Sequence, residues 1–64
     1  MIPQLAAGQV WRHRNGNLYT VLHLANEPNE ERYPLTVVYQ GRNGKVWARR
    51  ESDWLRSMTF VSEV

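Results

Sequence analysis

The feature that most constrains the fold is a predicted β-hairpin at residues 36–50, TVVYQGRNGKVWARR. Two runs rich in β-branched and aromatic residues, the types that strands favour, flank a polar turn at residues 41–44. Within the turn, Asn43-Gly44 is a strong hairpin signal because both residue types tolerate positive φ. The rest of the chain can be read as β-structure added to this hairpin.

A second hairpin is predicted before the first one along the chain. Residues 9–13, QVWRH, alternate as an edge strand does, and residues 18–25, LYTVLHLA, form an apolar run of strand length. The turn signal Asn15-Gly16-Asn17 separates them. Residues 26–34, NEPNEERYP, are polar and rich in proline, so they predict an exposed loop.

The C-terminal part of the chain predicts one helical turn and a fifth strand. Ser52 can act as the N-cap of a short helix within residues 51–58, because its hydroxyl can accept a backbone N–H bond. Residues 59–61, extending as far as Glu63, then form the last strand. We therefore expect an all-β, five-stranded SH3-like barrel with one helical turn before the last strand, and favour it over an OB-type barrel. It forms one domain, residues 1–64, with residues 1–8 as a lead-in segment.

Composition narrows the classes of function. The chain has 64 residues, no cysteine and two histidines without metal-ligand spacing, so we expect no disulfide, no metal site and no cofactor. The lack of cysteine fits a reducing cytoplasm. No apolar run is long enough to cross a membrane, and the first residues lack the pattern of a secretory signal. Ser52-Asp53 reads as a helix cap rather than as part of a catalytic triad, so we expect no enzyme and no catalytic residue.

Charge is modest overall but unevenly placed. The formal net charge is +2, and every basic residue except Lys45 is arginine, whose planar fork of donors suits phosphates and carboxylates. Three glutamates, Glu27, Glu30 and Glu31, lie in the predicted loop, whereas basic residues concentrate in and after the central hairpin. The sequence therefore predicts an acidic side and a basic side.

Three short motifs resemble one family. They are VWRHRNGNLYTVL at residues 10–22, VVYQ at residues 37–40, and VWAR at residues 46–49, followed by an aromatic position at Trp54. In this order they are similar to the domain of unknown function 1653, a small bacterial and phage family, over residues 8–61. The resemblance implies a compact SH3-like β-barrel and no established biochemical activity.

Aromatic and basic residues carry the functional hypothesis. Trp47 alternates with Lys45 and Arg49, so the three should share one face of a regular strand. Core packing is favoured for Trp47 over exposure, because so short a chain has few other large side chains to bury. For His13, a structural role, either a bond to the backbone across the turn or packing under a neighbouring ring, is favoured over a role in an anion site. Arg49 can serve either as a ligand-binding or as a structural residue.

The leading hypothesis is a non-enzymatic, nucleic-acid-associated binding module with weak, salt-sensitive affinity. Arginines and Lys45 would contact phosphates, and Trp47 or Tyr39 would stack bases. The candidate binding residues are Arg12, His13, Tyr39, Arg42, Lys45, Trp47, Arg49 and Arg50. One alternative is a protein-interaction adaptor for an acidic or extended peptide, including pairing through an open strand edge. Another is a binder of small anions or nucleotides. The sequence predicts no particular oligomeric state.

Overall fold

Strand order defines the architecture. The computed structural model describes residues 4–63, which form one antiparallel sheet of five strands in the order β4-β3-β2-β1-β5, with one short helix. The elements are β1 Val10–His13, β2 Leu18–Ala25, β3 Thr36–Gly41, β4 Val46–Arg50, α1 Glu51–Ser57 and β5 Met58–Ser62. The five strands and the helix before the last strand confirm the predicted all-β class. Residues 1–3 of the predicted lead-in segment, and Val64, lie outside the described residues.

Closure of the sheet differs from the prediction. Within residues 4–63, β4 pairs with β3 and β5 pairs with β1, but β4 and β5 do not pair with each other. The sheet is therefore not a closed barrel, and its likeness to SH3 domains stays a prediction. One residue of β2, Leu22, adds a bulge, since Val21 pairs with Tyr39 but His23 pairs with Val38. A bulge of this kind bends its strand and increases the local twist.

Both predicted hairpin turns are present, and they share one backbone geometry. In the first, the Gly16 amide donates to the His13 carbonyl at 2.8 Å and the His13 amide donates to the Asn17 carbonyl at 2.8 Å. In the second, the Gly44 amide donates to the Gly41 carbonyl at 3.0 Å. In each Asn-Gly pair, the glycine has positive φ and the asparagine does not. The turns are thus three-residue loops that end on a left-handed glycine, rather than two-residue turns with both residues left-handed.

Aromatic rings dominate the core. The buried apolar residues are Leu5, Trp11, Val21, Val37, Tyr39, Trp54 and Met58. Trp54, which is 0% exposed, packs edge-to-face on Tyr39 with ring centroids 4.8 Å apart and on Trp11 at 5.7 Å. Such aromatic pairs stabilise a fold by about 0.5–1.5 kcal/mol beyond the area that they bury. Trp54 is therefore the residue through which the short helix α1 packs on the core.

The start of α1 differs from the prediction. The N-cap residue is Arg50, with extended backbone dihedrals, and within the described chain no side chain caps it. The expected capping role of Ser52 is therefore wrong. The chain passes directly from β4 into the helix, and the Glu51 amide still donates to the Leu35 carbonyl at 2.9 Å, one step beyond the β3–β4 ladder. Because this bond satisfies an amide of the first turn, the helix can begin before Ser52.

Candidate functional site

The two hairpin loops lie at the same end of the sheet. In an antiparallel sheet of this order, the β1–β2 and β3–β4 connections lie at one end of the strands, and the β2–β3 connection lies at the other end. Residues 14–16 and residues 42–44 both read Arg-Asn-Gly. In each loop the asparagine Oδ1 accepts the backbone amide two residues later, from Asn17 at 2.9 Å and from Lys45 at 3.0 Å. The fold therefore presents two matched arginine-bearing loops side by side, and we call this end of the sheet the loop end.

Inside the loop end lies a cleft of about 220 Å³. Its walls come from all five strands and from the first loop. The lining residues are His13, Asn15, Tyr19, Tyr39, Trp47, Arg49 and Met58. Four of the eight candidate residues predicted from the sequence, His13, Tyr39, Trp47 and Arg49, thus meet in one place. We call it the aromatic cleft.

Trp47 is the most accessible ring of this cleft. It pairs across the ladder with Tyr39, so both side chains lie on the core-facing side of the sheet. Whereas Tyr39 is 7% exposed, Trp47 is 50% exposed. The expectation of core packing for Trp47 is therefore wrong. The reason is that β4 is the edge strand, so in the described chain no neighbouring strand covers the outer side of the indole.

Trp47 also borders a second cleft of about 240 Å³, which we call the loop cleft. Its lining residues are Asn17, Leu18, Tyr19, Gly41, Arg42, Asn43 and Trp47. Tyr19 lies over Gly41, where a Cβ would come within 3.1 Å of the tyrosine Cε1. Glycine at this position thus lets the ring settle between the two clefts. Trp47 and Tyr19 are shared by both clefts and form the ridge between them.

A third cleft continues the surface on the other side of Arg49. It measures about 280 Å³ and is lined by Arg14, Arg49, Asp53, Arg56 and Ser57. Since Arg49 borders both this cleft and the aromatic cleft, the three clefts are contiguous. The result is a surface with arginines at both ends and an exposed tryptophan within it, which we call the basic–aromatic track.

Two of the candidate residues, Tyr39 and His13, make contacts that stabilise the structure of the track. The buried ring of Tyr39 meets Tyr19 edge-to-face with centroids 5.3 Å apart, so it forms the floor of the aromatic cleft and offers no free face for stacking. His13 Nδ1 accepts the Asn15 amide at 3.1 Å, which is the bond to backbone that the sequence favoured. Because Nδ1 is an acceptor there, the ring proton of neutral His13 is on Nε2 and can be donated to a ligand.

The remaining candidates are divided between two faces of the sheet. Arg42 lines the loop cleft, and Lys45 follows the second loop. Arg12 and Arg50 are exposed, but each neighbours an inward-facing residue in its strand, so their side chains point to the opposite face. The structure thus brings Arg42 to the track, places Lys45 beside it at the loop end, and leaves Arg12 and Arg50 away from it.

Sequence reasoning missed several residues of the track: Arg14, Asn15, Tyr19 and Arg56. A usable signal was present, because the tripeptide Arg-Asn-Gly occurs twice and both copies lie in predicted turns. Arg56 is paired with Asp53 at 3.5 Å between Nη1 and Oδ1, and both side chains are largely exposed. An exposed pair of this kind contributes only about 0–1 kcal/mol, so Arg56 can exchange it for a ligand at little cost.

Acidic residues collect at the opposite end. A cleft of about 790 Å³ there is lined in part by Glu27, Glu51, Glu63 and His23. The loop of residues 26–35, which carries further glutamates, lies at the same end because it connects β2 to β3. Glutamates therefore concentrate at one end of the sheet and the two arginine-bearing loops lie at the other, although Arg32 and Arg50 lie at the acidic end.

The fold and the clefts define a small, open antiparallel β-domain with a basic–aromatic surface at one end. The chain matches, over residues 9–63, the family described as "Protein of unknown function (DUF1653)", and it belongs to that family. This confirms the resemblance that the three sequence motifs indicated, and the match includes every strand and the helix. Comparison with curated proteins and comparison with solved structures give no match. Within residues 4–63, no helix has the length and apolar character needed to cross a membrane.

Proposed function

We propose that this domain is a non-enzymatic cytoplasmic module that binds single-stranded nucleic acid along the basic–aromatic track. The observation that carries the proposal is Trp47, whose half-exposed indole lies between two clefts, one lined by Arg42 and the other by Arg49. Proteins that bind single strands combine aromatic faces for bases with cations that follow the backbone. A ring between two arginines supplies both elements within one strand and its turn.

The two matched loops add polar groups suited to bases. Because Asn15 and Asn43 each use Oδ1 to hold the loop, the side-chain NH₂ group of each remains a donor. Asn15 borders the aromatic cleft and Asn43 borders the loop cleft. Each cleft thus pairs a share of the Trp47 ring with one amide donor and one arginine. We infer that successive bases occupy successive clefts and stack against Trp47, with the phosphates near Arg42 and Arg49.

Charge placement gives the complex an orientation. Nucleic acid is attracted to the arginines of the loop end and repelled by the glutamates of the other end, so the strand should follow the track across the loop end rather than run the length of the sheet. With no more than about five cations available, affinity is weak and strongly salt-dependent.

The size of the aromatic cleft argues against a free nucleotide as the main ligand. Pockets that enclose small molecules usually measure about 300–1,000 Å³, whereas this cleft is about 220 Å³. By this size alone, we infer that the cleft accepts one base rather than a complete nucleotide. A strand that extends across all three clefts makes better use of the surface.

Intrinsic fluorescence provides the test, because Trp47 is exposed while Trp11 and Trp54 are 2% and 0% exposed. We expect oligothymidylate of twelve nucleotides at low salt to quench the emission of Trp47 and to shift amide NMR signals of residues 13–19 and 41–49. A blunt duplex of the same length should act more weakly, since its bases are stacked. Absence of quenching and of shifts at millimolar oligonucleotide would rule out the proposal.

The matched control is an exposed aromatic residue at the acidic end. Trp47→Ala should weaken binding of the oligonucleotide by roughly 5- to 150-fold, because stacking contributes about 1–3 kcal/mol per base. Tyr33 is also exposed but lies in the β2–β3 loop, so Tyr33→Ala should leave affinity unchanged. Equal effects of the two substitutions would show that binding does not depend on the track.

A further inference from the structure

The edge of β4 is a second surface with a chemistry of its own. Among the residues that the structure describes, β4 pairs with β3 alone and forms one margin of the sheet. Its apolar side chains are unusually open, with Val46 55% exposed beside the half-exposed Trp47. An exposed edge that carries apolar side chains is a template for an additional strand.

Hydrogen bonds at the two ends of the β3–β4 ladder determine which backbone groups face outward. The Gly41 amide donates to the Lys45 carbonyl at 3.0 Å, and the Glu51 amide donates to the Leu35 carbonyl at 2.9 Å. Both bonds lie in the register of the ladder, so they mark its hydrogen-bonded pairs. In antiparallel sheets such pairs alternate with pairs that are not hydrogen-bonded.

Counting inward from these two bonds shows which backbone groups of β4 bond to β3 and which are free. The pairs that contain Trp47 and Arg49 are hydrogen-bonded, so the backbone groups of these residues are used by β3. The pairs that contain Val46, Ala48 and Arg50 are not, so the N–H and C=O groups of these three residues point away from β3. Because Arg50 is also the N-cap of α1, the free margin of β4 offers the N–H and C=O groups of Val46 and Ala48 and the N–H of Arg50.

Charge indicates the kind of segment that would pair there. Residues 41–50 contain Arg42, Lys45, Arg49 and Arg50 and no acidic residue. A second copy of β4 would place these cations opposite one another, and like charges directly across a ladder are destabilising. An acidic segment would instead meet a cation on either face of the strand. The opposite margin, β5 at residues 58–62, carries no charged side chain, so its charge does not favour an acidic over a basic segment.

We propose that the β4 edge binds an extended acidic segment of a partner protein by strand addition. The added strand would bond to the backbone of Val46 and Ala48 and place acidic side chains near Arg49 and Arg50. Its residue opposite Trp47 would form a pair without hydrogen bonds, in which side chains come closest, so an apolar side chain fits there. This binding mode uses the outward backbone of β4 and does not depend on nucleic-acid binding in the clefts.

The test uses a blocked seven-residue peptide with valine at the central position and glutamate at the other six, added to the full chain and followed by amide NMR and calorimetry. We expect shifts at residues 45–50, and a much weaker response to the same peptide with arginine in place of glutamate. Ala48→Pro removes an outward N–H that β3 does not use, a position where proline is tolerated in edge strands. It should weaken peptide binding about tenfold or more, the effect of losing roughly one backbone hydrogen bond. Oligonucleotide quenching of Trp47 should stay within about twofold, since the stacking face and its cations are unchanged.

A second measurement keeps the test decisive if Ala48→Pro fails to fold. Peptides N-methylated at alternate residues, in the two possible sets, are compared on the unchanged protein. One set should lose binding and the other should keep it, because only alternate amides of an added strand face β4. Equal loss from both sets, equal binding of the arginine peptide, or undiminished binding to a folded Ala48→Pro variant would overturn the proposal. A dimer in sedimentation that the proline substitution dissociates would show that a second copy occupies the edge instead.

Discussion

Removal of the two matched loop arginines gives a quantitative test of the basic–aromatic track. For single strands, the logarithm of affinity falls with the logarithm of salt concentration by about 0.7 for each phosphate neutralised. The cations available at the loop end are Arg14, Arg42, Lys45, Arg49 and Arg56. If each meets one phosphate, the slope is about −3.5, and affinity falls roughly 100-fold between 50 and 200 mM salt.

The double variant Arg14→Gln/Arg42→Gln should reduce that slope to about −2.1 and the loss over the same range to roughly 20-fold. Both residues are exposed. Substitution at such sites usually changes the free energy of unfolding by no more than about 0.5 kcal/mol. The assay is fluorescence anisotropy of a labelled twelve-nucleotide oligothymidylate at four salt concentrations, with thermal unfolding by circular dichroism to verify the fold.

Arg32 supplies the matched control, since it is an exposed arginine in the β2–β3 loop at the acidic end. Arg32→Gln changes the net charge but should leave the slope unchanged. Two results would show that phosphates do not follow the two loops. One is a double variant whose affinity keeps the full salt dependence. The other is an Arg32→Gln variant whose salt dependence falls as much for each charge removed as that of the double variant. The placement of the nucleic-acid strand argued above would then be refuted.

Three further predictions concern the fold. Trp54→Ala should cost about 3–5 kcal/mol, because the side chain is fully buried, and should leave the chain largely unfolded by circular dichroism at 25 °C; a cooperative native melt would contradict the aromatic core. Gln9→Leu should cost about 1–3 kcal/mol in urea unfolding, because Gln9 Oε1 accepts the buried Trp11 Nε1–H at 3.0 Å; unchanged stability would show that this bond is dispensable. Gly44→Ala and Gly16→Ala should each cost about 1–2 kcal/mol, because both glycines have positive φ and an added Cβ would meet no other atom within 4 Å; a much larger loss for one alone would show that the loops are not equivalent.

The local parts of the fold could be predicted from the sequence. The bounds of β2, Leu18–Ala25, agree with the prediction at both ends, because an apolar run between turn signals is readable within a few residues. Both Asn-Gly pairs mark real turns for the same reason. The bulge at Leu22 was not readable, since it depends on how β2 meets β3 rather than on any property of β2 alone.

Burial of particular side chains was harder to predict, because it depends on which strands have neighbours. The pattern of β4 is that of any strand, and only its place at the margin of the sheet leaves Trp47 open. Gln9 shows the opposite case. A polar residue at a strand start suggests exposure, yet its side chain is buried and holds both Trp11 Nε1 and the Ala6 amide. Contacts with the lead-in segment, which had no readable pattern, determine that burial.

Size explains why the candidate site is built as it is. A chain this short buries only about 60% of the surface that its unfolded form exposes, so most of its rings are needed for the core. Tyr39 and Trp47 are paired across the β3–β4 ladder, yet Tyr39 is buried in the core and Trp47 is half-exposed. A substitution of Tyr39 should therefore reduce both stability and binding, whereas a substitution of Trp47 should cost no more stability than a cross-strand pair contributes, about 0.2–1 kcal/mol. An edge strand thus lets a domain with one small core expose an aromatic residue, which is why the exposed Trp47 and the free backbone edge occur on the same strand.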